Sequence, residues 1–217
     1  MPRIGAILIG QSPRPDLVKP LIKANPNFQY IESGALDFVN PADIPEPTSA
    51  YILTTRLNNG TVVRVDESYL FPLLQKAVAN AERQGALMSV LLCAGPFDGL
   101  NCAQPLYRPT AMVDTILKTR GITKIAVLSP SQEQANAIHK KWLSRGYVPS
   151  VFIDPGLPNQ ELGVWMREQL HYSSAEYLVV DYVGHPIEKI SALENALSIP
   201  VLDLGKVITD MLRHVTT

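Results

Sequence analysis

A chain of 217 residues, 46% apolar and 18% charged, can bury the core of one or two compact domains and is too rich in hydrocarbon for a disordered tail. Its 19 basic and 20 acidic residues leave a net charge of −1, which excludes a general attraction to nucleic acid or to anionic membrane surfaces. Two cysteines, Cys93 and Cys102, are too few for a disulfide framework and lack zinc-finger spacing.

The chain opens on an apolar run, residues 3–10, ending in Gly10, the pattern of a strand buried on both faces. The run is too short for a signal sequence, and no stretch approaches a membrane span, so the expectation is a cytoplasmic protein with no membrane partner. A loop at 11–15 leads to a short helix at 16–23 and a second strand at 28–32. Two β-rich runs, 51–57 and 61–65, flank Asn58-Asn59-Gly60, a turn that needs positive φ. They predict a β-hairpin inserted in an otherwise α/β chain. Asp66 is placed to cap the next helix, which runs to about Gln84 and stops at Gly85. A buried strand follows at 86–93.

The second half repeats the plan. Helices are predicted at 108–119, from the turn at 129–131 to 145, and at 159–171, 186–197 and 206–215, and strands at 122–128, 148–153, 177–182 and 201–204. Strands alternating with helices imply parallel sheets with right-handed crossovers. The two blocks predict two similar lobes, 1–107 with 205–217 and 108–204. In such sheets ligands bind beyond the carboxyl ends of the strands, so four strand-end loops are the candidate sites.

After the first strand come Gln11, Ser12 and Arg14, which offer polar groups beside a helix N-terminus and suit a carboxylate or phosphate. An ordinary βα turn with capping residues explains them as well. The loop contains neither a dinucleotide fingerprint nor a Walker sequence. Cys93 is followed by Ala94 and Gly95, so a strand-end thiol lies beside open backbone N–H groups; it reads either as a proton-transfer group or as core filling. Ser129 and Ser131 repeat the hydroxyl-rich turn in the second half, with Ser131 also a natural helix cap. Tyr182, Gly184 and His185 follow the strand at 177–182, where Tyr182 and His185 can move protons and Gly184 lets backbone approach a ligand. Asp98, Asp154 and Asp203 read as turn or cap residues, and Cys102 as incidental. His139, His171 and His214 have no neighbours at metal-ligand spacing, so no metal is expected.

The stretches IGAILIGQSPRPDLV, ILTTRLNNGTVV, LLCAGPFDGL and YLVVDYVGHP together resemble the AroM family, within the aspartate/glutamate (hydantoin) racemase superfamily. The resemblance covers nearly the whole chain. It implies two flavodoxin-like lobes with the C-terminal helix returning to the first, and a small carboxylate held in an interlobe cleft without a cofactor. It also implies two facing cysteines that remove and supply a proton at the substrate's α-carbon. The first falls on Cys93. The second position is Tyr182, a much weaker base than a thiolate, with His185 three residues on as a substitute acid or base. The resulting expectation is a racemase-like isomerase using Cys93, Tyr182 and His185, with Gln11, Ser12, Arg14, Ala94, Gly95, Ser129, Ser131 and Gly184 binding substrate. The alternatives are a single-cysteine decarboxylase or keto–enol isomerase, and a non-catalytic small-molecule-binding protein. A homo-oligomer is the base-rate expectation.

Overall fold

The computed structural model describes residues 1–49 and 51–215; Ala50, Thr216 and Thr217 lie outside it, the last two within the expected C-terminal return of the first lobe. The chain divides into two compact units: unit 1 is Met1–Ala111 with the segment from Ile208 onward, and unit 2 is Met112–Val207.

Unit 1 is built on β1 (Arg3–Leu8), β2 (Gln29–Gly34), β5 (Met88–Leu91) and β6 (Leu106–Tyr107), all parallel in the order β2-β1-β5-β6. Ile4, Ala6, Ile7 and Leu8 of β1 are buried without alternation, because the strand is covered on both faces. Helices α1 (Pro15–Ala24) and α2 (Glu67–Arg83) supply the crossovers. In α2 the residues Leu70, Leu74, Ala77, Val78 and Ala81 form one buried stripe. Each fully buried leucine of that stripe contributes about 1.5–3 kcal/mol, and Leu74→Ala would open a cavity costing about 2–5 kcal/mol.

Strands β3 (Ile52–Arg56) and β4 (Val62–Asp66) form a separate antiparallel hairpin. Its turn closes through Leu57 N–H to the Thr61 carbonyl at 2.9 Å, with Gly60 at φ 86°. Leu53, Thr55 and Leu57 are buried while Thr54 and Arg56 are exposed, so the hairpin lies with one face on the core of unit 1.

Two local expectations are corrected. Asp66 stands at the N-cap of α2 but makes no capping bond there; its carboxylate instead accepts from the Thr48 and Ser49 amides and the Ser49 hydroxyl, clamping the approach to the hairpin. The short strand β6 was not expected from sequence: only two residues pair with β5 before the chain turns into α3 (Pro109–Thr119), too few for any periodicity to register.

Unit 2 contains β7 (Lys124–Ser129), α4 (Gln132–Ser144), β8 (Val148–Ile153), α5 (Asn159–Leu170), β9 (Tyr177–Val180), α6 (Ile187–Ala196) and β10 (Val201–Asp203). Its parallel sheet runs β10-β9-β7-β8. The last helix, α7 (Leu204–His214), begins in unit 2 and ends in unit 1, where the Asn25 amide donates to the Thr209 carbonyl. Among the described residues no helix is long and apolar enough to cross a membrane.

Candidate functional site

In unit 1 three loops leave the carboxyl edge of the sheet together. Backbone bonds from Ala35 N–H to Leu8 O (2.8 Å), Leu36 N–H to Gly10 O (3.1 Å) and Leu92 N–H to Ile7 O (2.9 Å) bring the segments after β1, β2 and β5 side by side. The hairpin joins them through Gln11 N–H to the Arg56 carbonyl at 3.1 Å. Gly10 permits this approach, because a Cβ there would lie 2.3 Å from that carbonyl oxygen and 2.5 Å from Thr55 Oγ1.

Gln11 is a brace within this loop cluster. Its buried side chain donates to Leu36 O and Val39 O and accepts from Asn58 N–H, tying the β1 loop, the β2 loop and the hairpin turn together. Ser12 is held by Asp37, which accepts from its amide at 2.6 Å and its hydroxyl at 3.0 Å, and also from the Gly34 amide. The Arg14 amide is taken by Glu32 at 2.6 Å. Its guanidinium forks onto Asp16 at 2.8 and 2.6 Å, and that bond, against partial burial, holds the Asp16 carboxyl below its usual range. The donors that this loop offers to an anion are therefore engaged within the protein, Gln11 by backbone carbonyls and Ser12 and Arg14 by carboxylates.

Cys93 lies two residues past β5, 4% exposed and packed among Phe97, Leu100 and the other apolar residues of the unit 1 core. Its sulfur accepts a hydrogen bond from the Gly95 amide at 3.2 Å. The loop around it is fixed by Thr110 Oγ1 donating to the Ala94 carbonyl, and by Arg108 donating to the carbonyls of Phe97 and Leu100. Of the two readings open from sequence, core filling and proton transfer, the burial fits the first, and the one feature that bears on the second is the backbone donor aimed at the sulfur.

In unit 2 the turn after β7 is closed locally. Ser129 is fully buried and donates to the Ser131 carbonyl, and Ser131 caps α4 by accepting from Gln134 N–H. The loop after β9 is richer. The Tyr182 hydroxyl donates to Asp154 at the end of β8, and Lys189 of α6 donates to the same carboxylate oxygen. His185 Nε2 lies 2.7 Å from Asp203 Oδ2 at the end of β10, and its Nδ1 faces the Pro186 carbonyl at 3.4 Å. The Tyr182 and His185 rings meet edge to face with centroids 5.0 Å apart. Gly184, at φ 89°, makes the turn that returns His185 onto Tyr182.

These contacts set the protonation states. Burial, then the Asp154 bond and charge, push the Tyr182 phenol far above its ordinary value, so it stays protonated. Burial alone would lower His185, but the hydrogen bond and charge of Asp203 outweigh it and raise the imidazole above 6.5. Both ring nitrogens face acceptors, and only the imidazolium can donate to both. For Asp154 burial raises the carboxyl, and the Lys189 and Tyr182 bonds more than reverse it.

Sequence reasoning passed over Asp37 and Lys189 and read Asp154 and Asp203 only as turn or cap residues. Asp154 and Asp203 do act as turn and cap residues, accepting from Gly156 N–H and Lys206 N–H. Each carboxylate has a second oxygen, however, and those oxygens take Tyr182 and His185. The signal available was position: both residues directly end or follow a strand beside the Tyr182 loop. Cys102 donates to the Leu100 carbonyl at 3.7 Å, and among the described residues no group of three or more His, Cys, Asp or Glu could hold a metal ion.

Two parallel four-stranded sheets with these crossovers define an aspartate/glutamate racemase-type fold. A crystal structure of arylmalonate decarboxylase matches with a TM-score of 0.65 at 15% identity, over 100% of this chain and 93% of that one. An aspartate racemase homologue from Pyrococcus horikoshii OT3 matches with a TM-score of 0.65 at 16% identity, over 99% of both chains. The maleate isomerase Iso from Pseudomonas putida S16 gives 0.66 at 11%, over 99% and 92%. At such identities the likeness concerns the fold alone. No curated protein matches in sequence. The sequence pattern of the AroM protein family matches residues 4–216, and the chain belongs to that family.

Proposed function

We propose that this protein is a cofactor-independent, racemase-like isomerase of a small carboxylate, in which Cys93 transfers a proton at the carbon beside the carboxylate. The observation that carries this reading is the strand-end sulfur with the Gly95 amide directed at it. An N–H donated to sulfur favours negative charge there, and the thiolate is the form that removes a proton while the thiol is the form that returns one. Only protons move, so the chemistry requires no redox or electrophilic group. Proteins of this fold named for arylmalonate, maleate and aspartate suggest the substrate class.

A second reading is favoured by Tyr182. A racemase needs an acid on one face of the substrate and a base on the other, of comparable strength. Tyr182 gives its proton to Asp154 and is pushed further from a base by that contact, which makes it a poor partner for Cys93. A single thiol that protonates an enediolate on one face suits decarboxylation or keto–enol isomerisation. A binding protein that performs no chemistry is the remaining alternative.

The test is solvent-deuterium incorporation, followed by NMR, across α-substituted malonates, cis-enedioates and both enantiomers of acidic amino acids. Wild type should label at least one class. Cys93→Ser should abolish labelling; exchange that persists removes Cys93 from the mechanism. Exchange by wild type that survives Tyr182→Phe selects the one-thiol reading, and loss of exchange in that variant restores the two-sided one. No exchange with any class leaves a binding protein.

A further inference from the structure

A small-carboxylate ligand needs a cation or a set of free N–H donors, and the loop after β1 lacks both. Asp37 occupies the amides of Ser12 and Gly34, and Glu32 occupies that of Arg14. Both carboxylates take these bonds from neutral donors, so an anion placed at Ser12 would meet oxygens rather than free N–H groups. Arg14, the loop's own cation, is matched by Asp16 at 2.6 Å. Another guanidinium of unit 1, Arg108, holds the backbone carbonyls of Phe97 and Leu100.

Arg56 differs from these. It ends β3, and its carbonyl is the acceptor for Gln11 N–H, which pins its backbone to the rim of the β1 loop. The pin is reinforced by Asn58 N–H donating to Gln11 Oε1 and by the close approach of Gly10 to Arg56 and Thr55. The side chain is exposed and makes no hydrogen bond or ion pair with a described residue, while its charge reaches Asp16. Asp16 is bonded to Arg14 and feels only the charge of Arg56, whose fork stands unbonded at the loop's edge. Opposite Arg56 on the exposed face of the hairpin stands Val62, an uncharged residue, so no cross-strand carboxylate competes for the fork.

We propose that Arg56 captures the substrate's carboxylate, with the inserted hairpin serving as the arm that carries this guanidinium to the strand ends of unit 1. This rests on the small-carboxylate reading above. A guanidinium presents two parallel N–H groups to a carboxylate and fixes its plane as well as its position. The hairpin's function is then specificity, and Gln11 is a positioning residue that acts through Arg56.

The experiment is calorimetric titration of the full chain with malonate, with maleate and with L-aspartate at low salt. Arg56→Gln should weaken whichever ligand binds wild type by about ten- to a hundredfold, the effect of losing a charge-assisted fork. Arg56→Lys, which keeps the charge without the fork, should fall between. Lys23→Gln removes an exposed unit 1 cation in the last turn of α1, where the crossover reaches the start of β2 at the opposite edge of the sheet. It should stay within about twofold, because screening hides a charge so placed. Wild-type binding that Arg56→Gln leaves unchanged, or that Lys23→Gln weakens equally, overturns the assignment. Failure of wild type to bind any of the three overturns the small-carboxylate reading itself, and Arg56 falls with it.

Discussion

Replacing Lys141 by methionine isolates one charge at the foot of the Tyr182 loop. In unit 2 the Lys141 ammonium and the Trp142 indole N–H both donate to Asp181, at 2.6 and 2.8 Å, and neither Lys141 nor Asp181 has a side chain more than 1% exposed. Burial pushes the Asp181 carboxyl up, against the pull of Lys141 and Trp142, and the net direction is upward. Lys141→Met leaves that carboxylate with the indole N–H and, in place of a bonded ammonium, only the charge of Arg145. Breaking such a pair from one side costs about 3–5 kcal/mol. The only two tryptophans of the chain, Trp142 and Trp165, lie in unit 2, so intrinsic fluorescence in urea reads that unit's unfolding. With a denaturant slope of about 1–3 kcal/mol per molar, the midpoint should fall by at least about 1 M. The sign of the pH dependence follows from the upward shift. An ionised Asp181 without its partner has a folded pKa above the unfolded one, so stability is retained in acid and lost as pH rises between the two, by at most about 1.4 kcal/mol per pH unit. The loss should therefore be smaller at pH 5 than at pH 8. Lys141→Met with Asp181→Leu should recover most of it, since both charges then leave the core. A single variant within about 1 kcal/mol of wild type, or a loss equal at both pH values, would refute the reasoning.

Two further outcomes follow from the loops themselves. His185 should titrate above 6.5 by NMR, and Asp203→Asn should bring it down. Because the folded value is raised, the histidine's contribution to stability is complete below its unfolded pKa and fades as pH rises through the folded one, so wild type should exceed the variant more at pH 6 than at pH 8. A midpoint that Asp203→Asn does not move would break the assigned pair. Gly10→Ala would put a methyl group 2.3 Å from a backbone carbonyl that cannot withdraw, which should cost about 1–3 kcal/mol and speed hydrogen exchange at the Gln11 amide; unchanged exchange there would show that the hairpin is not pinned as described.

The alternation of strands and helices was legible because each element carries its own periodicity, and the hairpin because Asn-Asn-Gly admits little else. The family was legible from four local stretches. What local pattern could not show is which side chain returns from a distance to occupy a loop. Ser12 and Arg14 read as open donors because their neighbours in sequence are small or cationic, whereas Asp37 and Glu32 arrive from 25 and 18 residues away. Asp203 gives itself away as a cap through the residues after it, but its bond to His185 spans 18 residues and two elements. Asp66 shows the same limit in reverse: the capping position is right, and the carboxylate is drawn away by Thr48 and Ser49.

The two units have the same plan of four parallel strands, yet their strand ends carry different chemistry, and the difference bears on mechanism. In unit 1 the candidate proton carrier is a mostly buried sulfur with one backbone N–H directed at it. In unit 2 each titratable group of the Tyr182 loop is locked to a carboxylate. The tyrosine is driven toward permanent protonation, the imidazole toward the cation, and Lys189 is paired with Asp154. Groups so held can donate hydrogen bonds and present charge, but they cannot take a proton from carbon without dismantling the network that holds them. A symmetrical two-base reaction asks for two groups of comparable basicity, and the bonding of Tyr182 and His185 withdraws theirs. Under the proposed reading, that favours chemistry in which Cys93 alone delivers the proton, to one face of the carbon.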